Sequence, residues 1–267
     1  VEAAFFEPAG NGAFVATAAT AGPWSPDAQH GGPPSALAAW VIEQHEPNPA
    51  QRLARVTIDI LRPVPLGKLT TRVRTVRAGR RIALLESALE ADGQEVLHAR
   101  GWRIERPRGP VPVIPDQAAP AQQPGPPTAG ATAPNIPRLP RARTAGYLSY
   151  IDWQFLGTGS FADRGPGRAW ARPRVPLIAG QQATPMCQAL LVADSGSGIS
   201  AVLDGAGFIF INVDLTVALT RDPAGDWLLL EAETITGSDG TGLARTVLSD
   251  TTGVCGTGLQ TLLVAPV

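Results

Sequence analysis

Residues 30–43 read HGGPPSALAAWVIE, and residues 179–193 echo them as AGQQATPMCQALLVA. Glycine and proline ahead of an alanine-rich stretch suit a helix start, with Ser35 or the prolines in the first turn. Residues 36–42 are apolar on every face. A helix of that kind is buried all round, not laid on a surface. Strand-like stretches follow it. Arg55 to Leu61 (RVTIDIL) and Lys68 to Val76 (KLTTRVRTV) alternate with period two. Ile82 to Glu90 and Glu95 to Ile104 flank Asp92-Gly93, a hairpin signal.

The second stretch repeats this order. An early strand is expected at Gly167 to Arg174, the helix at Pro185 to Ala193, then strands at Phe208 to Leu219, Trp227 to Thr236, Leu243 to Asp250 and Leu259 to Val264. The two copies are offset by about 150 to 159 residues. The pattern predicts a duplicated α+β unit, each copy one helix wrapped by a curved antiparallel sheet. Between them, Arg106 to Pro140 contains eleven prolines in 35 residues. Proline fixes φ and removes a ladder donor, so an extended connector is expected there. The expected organisation is therefore 1–105, a linker at 106–140, and 141–267.

The chain has 267 residues, a net charge of −1, 44% apolar residues and 6% aromatics. That composition excludes global disorder. Near-zero charge gives no reason to expect nucleic acid or an anionic membrane as partner. Cys187 and Cys255 have no CxxC spacing, so two buried reduced thiols are expected, and no metal site. There is no basic-then-apolar leader and no apolar run of about 18 residues. A cytoplasmic location is the expectation.

The order of motifs resembles the TesB-like (type II) acyl-CoA thioesterases, a double-hotdog family. The likeness is carried by HGGPPSALAAWVIE, RVTIDILRPVPLG, ALLVADSGSG, FINVDLTVALTR and GVCGTGLQTLLV. It spans both halves and fails over the linker. The resemblance implies hydrolysis of acyl-CoA without a covalent nucleophile or cofactor, the water being held by an Asp, a Thr or Ser and a Gln. Carried over by motif, these are Asp194, Asn212 in place of the usual hydroxyl residue, and Gln260. Thr216, four residues on in the same run, is a fallback expected to face the same side. A homodimer is the assembly the family implies.

The residues support part of this independently. Asp194 ends an apolar helix, where desolvation and the negative helix end favour a carboxylate that accepts a proton. The competing reading is a plain helix stop, since Asp-Ser-Gly-Ser-Gly is one. Gln260 is an amide in an otherwise apolar run and needs a partner, either a water or a neighbouring backbone. Asn212 has the same choice. Gly31 and Gly32, at a helix N-terminus, would let a carbonyl oxygen approach backbone N–H groups and form the substrate-binding oxyanion site. His30 reads as a turn histidine, with a polar wall of the pocket as the alternative. Arg72, Arg74, Arg77, Arg80 and Arg81 read as a solvated sheet face, with CoA phosphates as the alternative.

The first copy ends its helix with Glu43 to Glu46 (EQHE) and has Arg100-Gly101-Trp102 where the second has its glutamine. One site per chain is expected. No GxSxG elbow occurs. Gly157-Thr158-Gly159 lacks the third glycine of a dinucleotide loop. A hotdog hydratase would need a histidine on the same helix segment as Asp194, and none follows it. The alternative from another class is a non-catalytic acyl-CoA or acyl-chain binder.

Overall fold

The computed structural model describes residues 4–112, 125–126, 145–157, 159–205 and 207–267. Most of the proline-rich connector, and Thr158, lie outside them. The first half contains β1 (Phe6–Gly10), β2 (Ala13–Ala16), α1 (Gly32–Gln44), β3 (Gln51–Ile60), β4 (Gly67–Arg77), β5 (Ile82–Ala91) and β6 (Gln94–Glu105). The second contains β7 (Ile151–Phe155), β8 (Gly167–Pro173), α2 (Pro185–Ala193), the short α3 (Gly196–Ile199), β9 (Phe208–Asn212), β10 (Asp214–Leu219), β11 (Leu228–Thr236), β12 (Thr241–Asp250) and β13 (Gly253–Pro266).

All described strands join one sheet, in the order β1-β2-β4-β5-β6-β3-β10-β13-β12-β11-β8-β7, with β9 also on β13. Read outward from the β3–β10 seam, the two halves repeat each other strand for strand. The seam is antiparallel, from Asp214 opposite Asp59 to Ala218 opposite Arg55. Asp92 and Gly93 take φ of 49° and 74°, the turn the hairpin signal requires. Asn11 and Gly12, at 51° and 70°, close the β1–β2 hairpin in the same way.

The two helices lie antiparallel inside the curve of the sheet. Near one end, Thr184 Oγ1 at the start of α2 donates to Glu43 Oε2 at 2.5 Å. At the other, Gly32 packs on α2 so closely that a Cβ there would lie 2.3 Å from Leu191 O. Small residues meet across this contact, with Cys187 Sγ 3.4 Å from Ala36 O. The helices' side chains merge into one buried cluster that spans both halves. The helix of residues 32–44 starts with Gly31 as its cap, with Pro33 and Pro34 in the first turn and no side-chain cap bond. Cys187 and Cys255 are buried and free. Among the described residues, no helix is long and apolar enough to cross a membrane.

The run Phe208 to Leu219 is not one strand. Asn212 stands opposite Leu262, but Thr216 stands opposite Leu259. The β9–β10 side therefore holds one extra residue, a bulge at Val213–Asp214. The Asp214 carboxylate fills the disrupted ladder, accepting from Thr261 N at 2.6 Å and from Thr261 Oγ1 at 3.1 Å. A bulge shifts the alternation of side chains by one. Asn212 shares the inner face with buried Leu262, whereas Thr216 shares the outer face with exposed Leu259. The expectation that Thr216 faces the same side as Asn212 is thus incorrect. Its hydroxyl instead bonds Thr57 Oγ1 across the seam, at 3.2 Å.

Candidate functional site

Asp194 follows directly on the last residue of α2, held there by the buried face of that helix, and is only 5% exposed. Desolvating a carboxylate requires hydrogen-bond donors. Asn212 Nδ2 donates to Asp194 Oδ1 at 2.8 Å. Gln260 Nε2 reaches the same oxygen at 3.3 Å and Asp194 O at 3.0 Å. Residues from α2, β9 and β13 therefore converge, as the motif order implies. The bulge makes this possible by turning Asn212 inward.

Gln260 is 1% exposed and fully engaged, because its Oε1 also accepts from Ser197 N at 3.0 Å. Its amide holds the carboxylate and the start of α3. Asn212 is half-buried, and its Nδ2 also donates to Asp214 O at 3.2 Å.

The glycines at the start of α1 do two different things. Gly31 lines the cavity beside Asp194, and a Cβ there would lie 2.8 Å from Asp194 Oδ2. Gly32 is buried against Leu191 O, with its N–H on His30 Nδ1 at 3.1 Å. Pro33 and Pro34 carry no N–H. Of the first-turn donors expected to meet substrate, Gly31 N–H is thus the one that lines the cavity and has no acceptor among the described residues.

At His30 the sequence favours a turn histidine over a pocket wall, and the structure places it in the wall of the cavity. Its Nδ1 lies 3.0 Å from Asp194 Oδ2. Its ring stacks on Tyr147, with centroids 3.7 Å apart and planes at 8°. Tyr147 is fixed by its hydroxyl, which donates to Leu191 O at 2.8 Å and lies 3.0 Å from Ser195 Oγ. Burial pushes the phenol well above its ordinary pKa. Burial also pushes the His30 imidazole below its usual range, outweighing the opposing pull of Asp194. Burial thus favours the neutral ring over the imidazolium. No motif announces a lone histidine in a turn; its position before a Gly-Gly helix start was the only available signal.

These groups open on a cavity of about 680 Å³, lined by Trp24, His30, Gly31, Asp194, Phe210 and Asn212 among others. Trp24 is 57% exposed and meets Phe210 edge to face at 6.3 Å. The wall is mainly apolar and the carboxylate lies in it, which suits a largely apolar ligand with one polar centre. A more polar groove of about 750 Å³ lies between Asp152, Arg172 and Gln188, and none of the candidate residues lines it. Arg72 pairs with Glu90 and Glu95, and Arg74 with Glu86, on an exposed sheet face. None of the five arginines of that run lines the cavity. Among the described residues, no cluster of His, Cys, Asp and Glu has the makings of a metal site.

The corresponding end of the first half is filled. The β3–β6 pair has the same bulge, with Leu53 opposite Arg103 but Arg55 opposite Trp102. Leu53 thus takes the place of Asn212, and Gly101 that of Gln260. A Cβ on Gly101 would lie 2.7 Å from Leu53 Cδ1 and 3.3 Å from Ile42 Cδ1, so apolar atoms occupy the space. The Arg103 guanidinium caps the end of α1, donating to the carbonyls of Ile42, Glu43, His45 and Glu46.

Two family profiles match the chain: "Acyl-CoA thioesterase N-terminal domain" over residues 20–104 and "Acyl-CoA thioesterase C-terminal domain" over residues 115–264. No curated protein matches it. Among solved structures, it is similar to a protein of Novosphingobium aromaticivorans, with TM-score 0.72 and 21% identity over 97% of this chain and 98% of that one. It is also similar to a hot dog fold protein of Alicyclobacillus acidocaldarius, with TM-score 0.71 and 16% identity over 96% and 95%. A third, acyl-CoA thioesterase II TesB2 of Mycobacterium marinum, has TM-score 0.63 and 14% identity over 98% and 95%. At these identities the likeness establishes the fold, which is α+β and a tandem hotdog.

Proposed function

Because the chain belongs to the acyl-CoA thioesterase family, we propose that it hydrolyses a fatty acyl-CoA to free acid and CoA, with Asp194 as general base. Asp194 takes a proton from water as the water oxygen bonds to the thioester carbonyl carbon. The carbonyl oxygen becomes an oxyanion, which Gly31 N–H stabilises. The C–S bond then breaks, and the departing thiolate takes up the proton. Gln260 and Asn212 hold the carboxylate, and the Asn212 amide oxygen orients the water. The observation that carries this reading is the buried Asp194 carboxylate, held by two amides in the wall of an apolar cavity.

The test is steady-state thiol release from acetyl-, octanoyl- and palmitoyl-CoA. Asp194→Asn should lower kcat by about 10²- to 10⁴-fold, the usual contribution of a general base. Wild-type turnover in that variant would falsify the mechanism.

One observation favours the second reading, a non-catalytic acyl-CoA binder. The donors of both amides are turned onto the carboxylate. Binding of acyl-CoA by the wild type with no thiol release on any of the three substrates would establish it.

A homodimer is part of the proposal. Its support is an apolar outer face on which exposed Ile211 pairs with Leu263 and exposed Ile235 with Leu243. Contiguous exposed apolar surface marks an association site. Sedimentation at micromolar concentration should show twice the chain mass, and a monomer there would exclude the dimer.

A further inference from the structure

The two carboxylate oxygens of Asp194 are held differently. Oδ1 has the amides of Asn212 and Gln260; among the described residues Oδ2 has only the His30 ring, at 3.0 Å. His30 is itself well fixed. Its backbone N–H donates to Thr20 O at 2.8 Å, and Tyr147 N donates to Ala21 O at 3.0 Å. The ring is thus stacked on a tyrosine anchored to the same segment of chain.

The ring nitrogen Nδ1 faces two competing demands. Gly32 N–H offers a hydrogen bond at 3.1 Å, which needs a bare Nδ1. Asp194 Oδ2 needs a protonated one. A neutral ring satisfies only one of them. A bond to an ionised carboxylate is about twice as strong as a neutral pair. A bare Nδ1 would also set a lone pair against a carboxylate. Leaving the first N–H groups of a helix without a helical partner is, by contrast, the ordinary condition of helix starts. Asp194 therefore wins the proton.

We propose that His30 is a positioning residue, carrying its proton on Nδ1 and holding Asp194 Oδ2 so that the carboxylate is fixed from both sides while water is attacked. The role in turnover rests on the hydrolase reading; the hydrogen bond itself does not. Since Asp194 Oδ2 lies over Gly31, release by His30 would let the carboxylate rotate within the space a Cβ would fill.

The test joins NMR with kinetics. Imidazole ¹⁵N spectra of the wild type should show His30 protonated on Nδ1; protonation on Nε2 overturns the proposal. His30→Phe keeps an aromatic ring against Tyr147 and removes both nitrogens. Its kcat on octanoyl-CoA should fall by about 10²-fold, the scale of a small misplacement of a reacting group. KM should stay within about threefold, because Phe keeps a planar ring in the cavity wall and the lost hold on Asp194 acts on the transition state. His30→Asn places an amide N–H near the position of Nδ1 and should recover kcat to within about tenfold of wild type. A wild-type kcat in His30→Phe, or no recovery in a folded His30→Asn, also overturns the proposal. If the wild type releases no thiol from acetyl-, octanoyl- or palmitoyl-CoA yet carries the proton on Nδ1, the hydrolase reading fails and the hold on Asp194 stands.

Discussion

Gly31 has ordinary helical angles, φ −65° and ψ −21°, so any residue could adopt its backbone. What requires glycine is the carboxylate, 2.8 and 3.0 Å from where a Cβ would lie. Gly31→Ala should therefore fold with little change in melting temperature while kcat falls by about 10²-fold, since Asp194 is displaced. Gly32→Ala should behave in the opposite way. Its Cβ would meet the Leu191 carbonyl, which is backbone, so the helices must separate and the folded state is lost first. Melting curves and octanoyl-CoA turnover of the two variants separate these effects. Asp194 was singled out by the order of motifs, since a charge closing an apolar helix and followed by Ser-Gly reads by itself as a plain helix stop. His30 was not, because its meaning comes from a helix 164 residues further along the chain.

Elements were legible where periodicity sufficed. The two helices and most strands follow from apolar faces and alternation, and α2 was read to its ends. Strand β7 and the short α3 were not anticipated, and two further features escaped for identifiable reasons. The β1–β2 hairpin carries Asn11-Gly12, a turn signal too short to stand out beside weak flanking alternation. The bulge at Val213–Asp214 is invisible to a period-two count, which carries on through it and assigns Thr216 to the wrong face. Only the pairing with β13 reveals the slip. At this scale the firmest prediction concerns Arg103, which is buried and caps four carbonyls at the end of α1. Arg103→Met should cost about 3 kcal/mol of stability, as expected when charged hydrogen bonds to the helix-end carbonyls are lost. A urea midpoint unchanged from wild type would refute that cap.

For the whole molecule, length alone suggests two domains, and the duplicated pattern correctly implies two copies of one unit. The shared sheet makes them interdependent, because β3 and β10 are central strands that would become bare edges if the halves parted. One core cluster also runs through both. Tryptophan fluorescence and far-ultraviolet circular dichroism should therefore report a single coincident urea transition. Two separated transitions would mean that the halves are independent.

The antiparallel helix pair has a consequence for concentration. The carboxylate end of the candidate site belongs to the second half, and the histidine and glycine that face it belong to the first. In separate polypeptides such a site would form only by association and would be lost on dilution. Joining the halves in one chain makes their encounter intramolecular and independent of protein concentration. Specific activity per chain should then stay constant down to nanomolar protein, whether or not two chains associate.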